Sequence, residues 1–363
     1  MTESQLTYAA TVSEGPDASA PPVGTLSPPV SRFVIARVLR NYRAGRLVEA
    51  RAVAEGLLNR GYRVVTTAGV YFLKCYVDRA TATVTAITAQ HRATTALHAR
   101  GLPTAPPLAG RDGRTVTDCD GRRFALYPWI RGEHRPGTEL DLVQCEELGT
   151  LLGRLHGALA EVCALVVQPD GQPTADPRAT LALIDELRGL VRRHRPYGPF
   201  ELLAEDRLAE RAELLAAHRH RRPAPDAAGP AGWVHGDFHG LNLLHHGRRV
   251  SAVLDWDRLG VRPRGEEVVR GATLIFNDPV TGELDLARVR RYARGYREAT
   301  GARPEELAAA THRVWWERLN DFWMLRWRYQ RADPRADPLF PAAAAQTVWW
   351  CQEYEQVLDA FVN

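Results

Sequence analysis

A short stretch of the sequence concentrates oxygen-bearing side chains around a predicted hairpin. Asp237 and Asn242 precede two apolar runs joined by a turn at Gly247, and Asp255 and Asp257 follow the second run. Two β runs around such a turn are typical of a hairpin, whose two ends lie close together. We therefore expect the four polar side chains to converge. Their carboxylate and amide oxygens suit a hard cation such as Mg²⁺.

The order of these residues is that of a kinase catalytic loop followed by its metal-binding aspartate. His235-Gly236-Asp237, four further residues, Asn242, a hairpin and Asp255 resemble the aminoglycoside/choline kinase-like phosphotransferases, which have the protein-kinase-like fold. The resemblance implies an α+β, bilobal fold with a small β-rich N-terminal lobe and a larger, mainly helical C-terminal lobe. It also implies that ATP, with Mg²⁺, donates its γ-phosphoryl group to a hydroxyl of a small molecule.

The resemblance assigns roles to the residues of this stretch. Asp237 would take the proton of the acceptor hydroxyl, and Asn242 and Asp255 would ligate Mg²⁺. Asp257 would reach a second metal or brace the loop. His239 would lie near the acceptor or support the loop. Asp237 is therefore the expected catalytic residue, and Asn242, Asp255 and Asp257 are the expected metal ligands.

The kinase hypothesis also requires a lysine on an upstream strand. Lys74 is the only lysine in the chain, and it lies in a β-rich run at 70–77. A compact ammonium suits a polyphosphate, although a strand lysine often faces solvent at a sheet edge. The resemblance assigns Lys74 to the phosphates and Asn59, in the preceding glycine-poor loop, to the nucleotide site.

Gln90 departs from the family pattern. It lies in a predicted helix at 84–100, where the family carries a glutamate that pairs with the strand lysine. Three possibilities follow: Gln90 hydrogen-bonds Lys74, another acid pairs with it, or the phosphates alone hold it.

A proline-broken connector follows a predicted strand and is typical of an inter-lobe hinge. We expect this hinge at about 126–131, where Leu126, Tyr127 and Trp129 would bind the nucleotide. Residues 1–30 are rich in Ser, Thr, Ala, Gly and Pro, which predicts a disordered or loosely attached tail. The expected organisation is then that tail, an N-terminal nucleotide-binding lobe at 31–130 and a C-terminal lobe at 132–363.

The C-terminal half is predicted to be mainly helical, with long helices at 304–331 and 341–361. A leucine stripe predicts a core face that includes His156, and Glu266 and Glu267 are expected at a helix N-terminus. A capping box is expected to begin at Thr138.

The region from 315 to 329 is dense in tryptophan and arginine. Helix packing is one explanation for the aromatic residues. The resemblance implies acceptor recognition here, with Glu317, Asp321, Trp323 and also His239 as candidates. The arginines favour an acceptor that is not polycationic, and both an antibiotic and a metabolite such as choline, homoserine or a thiosugar remain open.

Composition narrows the function classes. The chain has 363 residues, a formal net charge of +4 and no basic tail, so nucleic-acid binding is not indicated. Five scattered cysteines favour a reducing compartment over a disulfide framework. Neither a membrane span nor an export signal is visible, so we expect a cytoplasmic protein. The oligomeric state is not indicated.

Two other functions are compatible with the motifs. His235, Asp237, His239 and the pair His245-His246 are ligand types for zinc, which would suit a metallohydrolase. A nucleotide-binding regulator with weak catalysis is the second alternative, and Gln90 is its only support.

Overall fold

The structure is a computed structural model that describes residues 29–53, 59–77, 83–163 and 173–363. Residues 1–28 of the expected tail lie outside these ranges. An antiparallel sheet of order β1-β2-β3-β5-β4 forms the N-terminal lobe. Its strands are β1 Leu47–Ala52, β2 Arg60–Thr66, β3 Gly69–Tyr76, β4 Thr117–Cys119 and β5 Arg122–Pro128, and they are accompanied by helices α1 Arg32–Leu39 and α2 Val84–Ala99.

Lys74 lies on the central strand of this sheet and not at an edge. In β3 it is opposite Gly61 of β2 and Ala125 of β5. Leu73 and Cys75 are buried in the core between the sheet and α1. Because successive side chains of a strand point to opposite faces, Lys74 points to the other face, where α2 lies. The alternative of a solvent-facing edge lysine is thus excluded by the fold.

The C-terminal lobe is mainly helical and contains two small two-stranded sheets. The sheets pair β6 Ala231–Val234 with β9 Gly260–Pro263, and β7 Leu243–His246 with β8 Arg249–Val253. The helices are α3 Leu142–Val162, α4 Pro177–Arg193, α5 Pro199–His218, α6 Arg264–Ile275, α7 Leu286–Thr300, α8 Pro304–Asn320, α9 Trp323–Arg331, α10 Phe340–Gln352 and α11 Tyr354–Val362. The predicted hairpin at 243–254 is therefore confirmed as β7 and β8. Across the described ranges, every helix is too short or too polar to traverse a bilayer.

Two predicted helices are each divided in the structure. The helix predicted at 304–331 ends at Asn320, and α9 begins at Trp323. Asp321 has an extended backbone, and its Oδ1 accepts a hydrogen bond of 3.0 Å from the Trp323 backbone N–H. This side chain competes for backbone hydrogen bonds and favours a break. The helix predicted at 341–361 is interrupted at Glu353, between α10 and α11, without a side-chain cap.

The expected capping box is displaced by three residues. Asp141 is the N-cap of α3, and its side chain accepts hydrogen bonds from the backbone N–H groups of Val143 and Gln144. Thr138 is therefore not the cap. The sequence at 57–65 predicts a strand, a turn and a second strand. Leu57 and Leu58 lie outside the described residues, and β2 begins at Arg60 and pairs with β1 and β3.

The connector after β5 is fixed to the hairpin of the C-terminal lobe. Glu133 and His245 exchange two backbone hydrogen bonds of 2.9 and 2.8 Å. Ser251 of β8 donates a side-chain hydrogen bond of 3.3 Å to the Arg131 carbonyl. The hairpin therefore joins the segment that leaves the sheet to the loop that carries Asp237 and Asn242.

Candidate active site

The loop between β6 and β7 is braced by His235. Its Nε2 donates to the Leu254 carbonyl at 2.8 Å, and its Nδ1 accepts the Asp237 backbone N–H at 3.2 Å. These two bonds define one tautomer of the neutral ring. The ring centroid also lies 4.6 Å from that of Trp256. His235 thus fixes the loop relative to the segment that leads into Asp255.

A buried carboxylate, Glu267 of α6, holds the same loop from the other side. It accepts the backbone N–H of His235 at 3.1 Å, that of Gly236, and Nε2 of His156 at 2.8 Å. Burial alone would raise the pKa of Glu267, but the hydrogen bond and charge of His156 hold it below its usual range. Gly236 is also required by its backbone, which has φ +87°. A Cβ at this position would lie 2.2 Å from the Arg258 carbonyl oxygen.

The sequence did not indicate this brace, the contacts of Glu267 with His156 and with the backbone of His235 and Gly236. It placed Glu267 at a helix N-terminus and His156 in a core stripe; both positions are confirmed, but neither implied the contact. The available signal was a histidine in an otherwise apolar stripe, because a buried imidazole needs a polar partner.

Lys74 pairs with both carboxylates that follow the hairpin. Its Nζ lies 2.7 Å from Asp255 Oδ1 and 2.7 Å from Asp257 Oδ2, and the residue is 7% exposed. Burial alone would lower the pKa of Lys74, but the two carboxylates hold it above its usual range. The ammonium is therefore charged and is positioned at the segment expected to bind metal.

Gln90 does not contact the lysine. Its Nε2 donates to the backbone carbonyl of Asp257 at 3.0 Å. Asn59 Nδ2 donates to Asp257 Oδ2 at 2.5 Å, and Asn59 Oδ1 accepts the Val77 backbone N–H at 3.2 Å. Of the three possibilities for the lysine, the structure has the second: the acids that pair with it are Asp255 and Asp257.

The two aspartates differ in environment. Asp255 has a left-handed backbone with φ +55° and a side chain that is 45% exposed, whereas the Asp257 side chain is 26% exposed. Burial would raise the pKa of Asp255, but Lys74 holds it below the usual range. Burial and the neighbouring Asp255 raise the pKa of Asp257 despite Lys74. Left-handed backbone at a non-glycine residue is uncommon and concentrates at functional sites.

Asn242 is oriented by the loop itself. Its Nδ2 donates to the Asp237 carbonyl at 2.9 Å, which leaves Oδ1 without a hydrogen bond to any described residue. Oδ1 of Asn242 and the exposed face of Asp255 are hard oxygen donors of the kind that Mg²⁺ prefers. Among the described residues, no three histidine, cysteine or acidic side chains form a group able to hold a metal ion.

The three hinge candidates have different surroundings. The Leu126 side chain is fully buried, and its carbonyl accepts the Leu108 N–H at 2.7 Å. The Tyr127 hydroxyl lies 3.1 Å from that of Tyr76 and 2.9 Å from Nε2 of His91. Only Trp129 has a substantially exposed ring, at 38%. Leu126 therefore packs in the N-terminal core, and Tyr127 belongs to a polar cluster beside the lysine.

The four acceptor candidates fall in two places. His239 Nε2 lies 3.4 Å from Asp237 Oδ2. Glu317 forms an ion pair of 2.5 Å with Arg270, which lines the cleft next to Asp237. Asp321 and Trp323 line a different cavity, which shares no lining residue with that cleft. Burial raises the pKa of Asp321 to about 6.

A small antiparallel lobe with a buried strand lysine, followed by a loop and Asp-x-Asp segment in this geometry, defines a kinase-like phosphotransferase. Residues 49–304 match the model of the phosphotransferase enzyme family, and the chain belongs to that family. The homoserine kinase of Burkholderia cenocepacia (strain HI2424) is 27% identical over 319 residues, which cover 82% of this chain and 88% of the relative.

Solved structures share the fold at low sequence identity. A spectinomycin phosphotransferase in complex with ADP and spectinomycin has a TM-score of 0.65 at 14% identity and covers 91% of this chain and 100% of its own. An amicoumacin kinase in complex with AMP-PNP and Ca²⁺ has a TM-score of 0.57 at 16% identity, with coverages of 90% and 92%. The chain is an ATP-dependent small-molecule kinase whose acceptor group is a hydroxyl.

Proposed function

We propose that Lys74 binds the phosphates of ATP and that Asn242 and Asp255 hold Mg²⁺. The observation that carries this proposal is the meeting of Lys74 with Asp255 and Asp257 at 2.7 Å each, on the segment bound to the Asp237 loop. Bound Mg²⁺ would neutralise charge on the phosphate oxygens. Lys74 then exchanges part of its contact with the carboxylates for the phosphates, since a compact ammonium can serve both.

Asp257 is better suited to bracing than to holding a metal. Its carboxylate is engaged by Asn59 and Lys74, and its carbonyl by Gln90. These three side chains come from the N-terminal part of the chain. We therefore assign Asn59 and Gln90 an indirect role in nucleotide binding, through the position of the Asp255–Asp257 segment. These three contacts join the two proposed lobes, at 31–130 and 132–363, beside the proposed nucleotide site.

The adenine is proposed to lie against the connector at 126–131. Trp129 offers an exposed ring there, while the Leu126 carbonyl is already used within the sheet. Tyr127 would then act at the lysine end of the site through its contacts with Tyr76 and His91.

Asp237 is proposed to accept the proton of the acceptor hydroxyl. Its loop is held by His235 and Glu267, so the carboxylate is positioned before substrate binds. Phosphoryl transfer has a loose transition state, and the protein's main contribution is to align groups and neutralise charge. His239, 3.4 Å from the same carboxylate, would orient it.

The acceptor is proposed to be a hydroxylated metabolite and not a polycationic antibiotic. Arg262 lines the cleft at Asp237, and its uncompensated positive charge would disfavour a polycation there. Similarity to a homoserine kinase over most of both chains supports the same choice.

Two measurements test these assignments. Release of ADP from Mg·ATP is measured with homoserine, choline, 3-aminopropanol, spectinomycin and a polycationic aminoglycoside. Stimulation by a metabolite is expected, and stimulation by the aminoglycoside alone would refute the acceptor proposal. Calorimetric titration of Asp255→Ala should show no Mg²⁺-dependent gain in ATP affinity, with Asp359→Ala, a surface variant of α11, as the control. If the Mg²⁺-dependent gain in ATP affinity is unchanged in Asp255→Ala, the metal has other ligands.

A further inference from the structure

One guanidinium in the cleft beside Asp237 has neither a hydrogen bond nor an ion pair with another described residue. Arg262 lies on β9, where its backbone pairs with Gly232, and its side chain lines the cleft together with Asp237 and Arg270. Within residues 29–53, 59–77, 83–163 and 173–363, its side chain forms no hydrogen bond and no ion pair. Its donors are therefore available to a ligand in the cleft.

The acidic side chains around Arg262 are already engaged elsewhere. Glu266 binds Arg270 at 2.8 Å and Arg313 at 2.8 Å. Glu317 binds Arg270 at 2.5 Å. Glu267 accepts the backbone of the catalytic loop and the ring of a histidine. Arg262 is thus the one of these cleft arginines whose charge is not compensated by a direct contact in the described protein.

The guanidinium of Arg262 can itself attract an anionic ligand. Burial lowers the pKa of Arg262 and the charges of Arg270 and Arg258 lower it further, while the charges of Glu267 and Glu317 act in the opposite direction. A carboxylate placed against this guanidinium would favour its charged form. Its planar array of donors can bind both oxygens of a carboxylate at once.

We propose that Arg262 binds a carboxylate of the acceptor, and that the natural acceptor is a small hydroxylated carboxylic acid, including hydroxy amino acids. This inference rests on the proposed position of the acceptor hydroxyl at Asp237. Both side chains line one cleft, so a short molecule reaches both. Arg262 then determines specificity and takes no part in the transfer itself.

Matched acceptors separate this role from others. Homoserine and 3-aminopropanol share the amine and the terminal hydroxyl, and they differ in the carboxylate. Steady-state kinetics with both are compared for the wild type, Arg262→Ala, Arg262→Lys and Arg264→Ala. Arg264 is the control because it opens α6 two residues away and does not line the cleft.

The expected result is selective. Arg262→Ala should raise KM for homoserine about 10- to 100-fold, as expected for the loss of charge-assisted hydrogen bonds, while kcat changes less. Arg262→Lys, which keeps the charge but not the paired donors, should lie between Arg262→Ala and the wild type. Both variants should leave kcat/KM for 3-aminopropanol within about threefold of the wild type, and Arg264→Ala should change neither acceptor.

Several results would overturn the inference. An equal loss with both acceptors would assign Arg262 to folding or to the loop. A loss of kcat at constant KM would indicate that Arg262 acts on the phosphates and not on the acceptor. Wild-type turnover confined to acceptors without a carboxylate, or absent from all hydroxy acids in the panel, would also refute it. Turnover of a hydroxy acid that survives in Asp237→Asn would instead refute the proposed function of Asp237 and leave the role of Arg262 standing.

Discussion

Replacing Glu267 by glutamine should impair catalysis by loosening the loop that carries Asp237. The carboxylate accepts hydrogen bonds from two backbone N–H groups of the catalytic loop and from His156. Glutamine provides one oxygen in place of two and directs an N–H group toward at least one of these donors. Each hydrogen bond to a buried charge is worth about 1.5–3 kcal/mol, and an unsatisfied buried donor costs about 1–3 kcal/mol. The free energy of unfolding should therefore fall by about 3–5 kcal/mol.

The assay compares urea unfolding, acceptor-stimulated turnover and Mg·ATP affinity. Turnover should fall at least about tenfold, because the loop that carries Asp237 loses its anchor. The affinity for Mg·ATP should change less than about threefold, since Lys74 and Asp255 do not contact Glu267.

Glu201→Gln provides the matched control. Glu201 is a buried carboxylate in the first turn of α5 that accepts a backbone N–H from Gly198 at 2.9 Å and pairs with Arg328 at 2.6 Å. The Glu201→Gln variant should show a comparable fall in the free energy of unfolding and keep wild-type turnover. If Glu267→Gln retains both the stability and the turnover of the wild type, the brace has no function.

The lowered pKa of Glu267 also gives a pH dependence. A carboxyl whose folded-state pKa lies below its unfolded value of about 4.3 stabilises the fold above that unfolded value. The contribution disappears as the pH falls through the lower, folded-state pKa. The stability difference between the wild type and Glu267→Gln should therefore be full at pH 7 and shrink below about pH 4.

Three further substitutions follow from the site geometry. Lys74→Met should weaken Mg·ATP binding at least about tenfold in calorimetry, and unchanged affinity would remove the lysine from the phosphate site. Gln90→Glu places a carboxylate against the Asp257 carbonyl and should lower both turnover and stability, by about 1 kcal/mol for the lost hydrogen bond; a faster enzyme would show that the lysine lacks an ionic partner. Tyr127→Phe removes the hydroxyl between Tyr76 and His91 and should lower the free energy of unfolding in urea by about 1 kcal/mol. An unchanged free energy of unfolding would show that this contact does not stabilise the fold.

The sequence was sufficient for the fold and for the main motif. A β-rich run predicted the strand with Lys74, and two β runs around a turn at Gly247 predicted the hairpin between Asn242 and Asp255. Both are local patterns, in which side-chain period and turn residues determine the outcome. The hydrogen bond from the Leu254 N–H to the Asn242 carbonyl, which brings the two ends of the hairpin together, followed from hairpin geometry.

The contacts of the site were less predictable, because they join residues far apart in the chain. Nothing local indicates that Gln90 meets a backbone carbonyl or that His156 meets Glu267. The aromatic region was harder to interpret. The resemblance placed Asp321 and Trp323 among the acceptor candidates, whereas in the structure the helix breaks at Asp321 and both residues line a cavity separate from the cleft at Asp237. Periodicity cannot distinguish an aromatic face packed against helices from one that faces a ligand.

Unpaired charge is the other feature that sequence could not supply. The region is rich in arginine, and its composition alone favoured a non-polycationic acceptor. Only the structure shows that Arg270 is engaged by Glu266 and Glu317 while Arg262 has no such contact among the described residues.

The most direct test of the central claim is acceptor-dependent ADP release by Asp237→Asn, measured beside its affinity for Mg·ATP. Loss of a positioned general base should lower turnover about 10²- to 10⁴-fold, while nucleotide affinity stays within about threefold of the wild type. Asp359→Asn, on the surface of α11, should match the wild type in both. Wild-type turnover by Asp237→Asn would contradict the assignment of Asp237 as the residue that takes the acceptor proton.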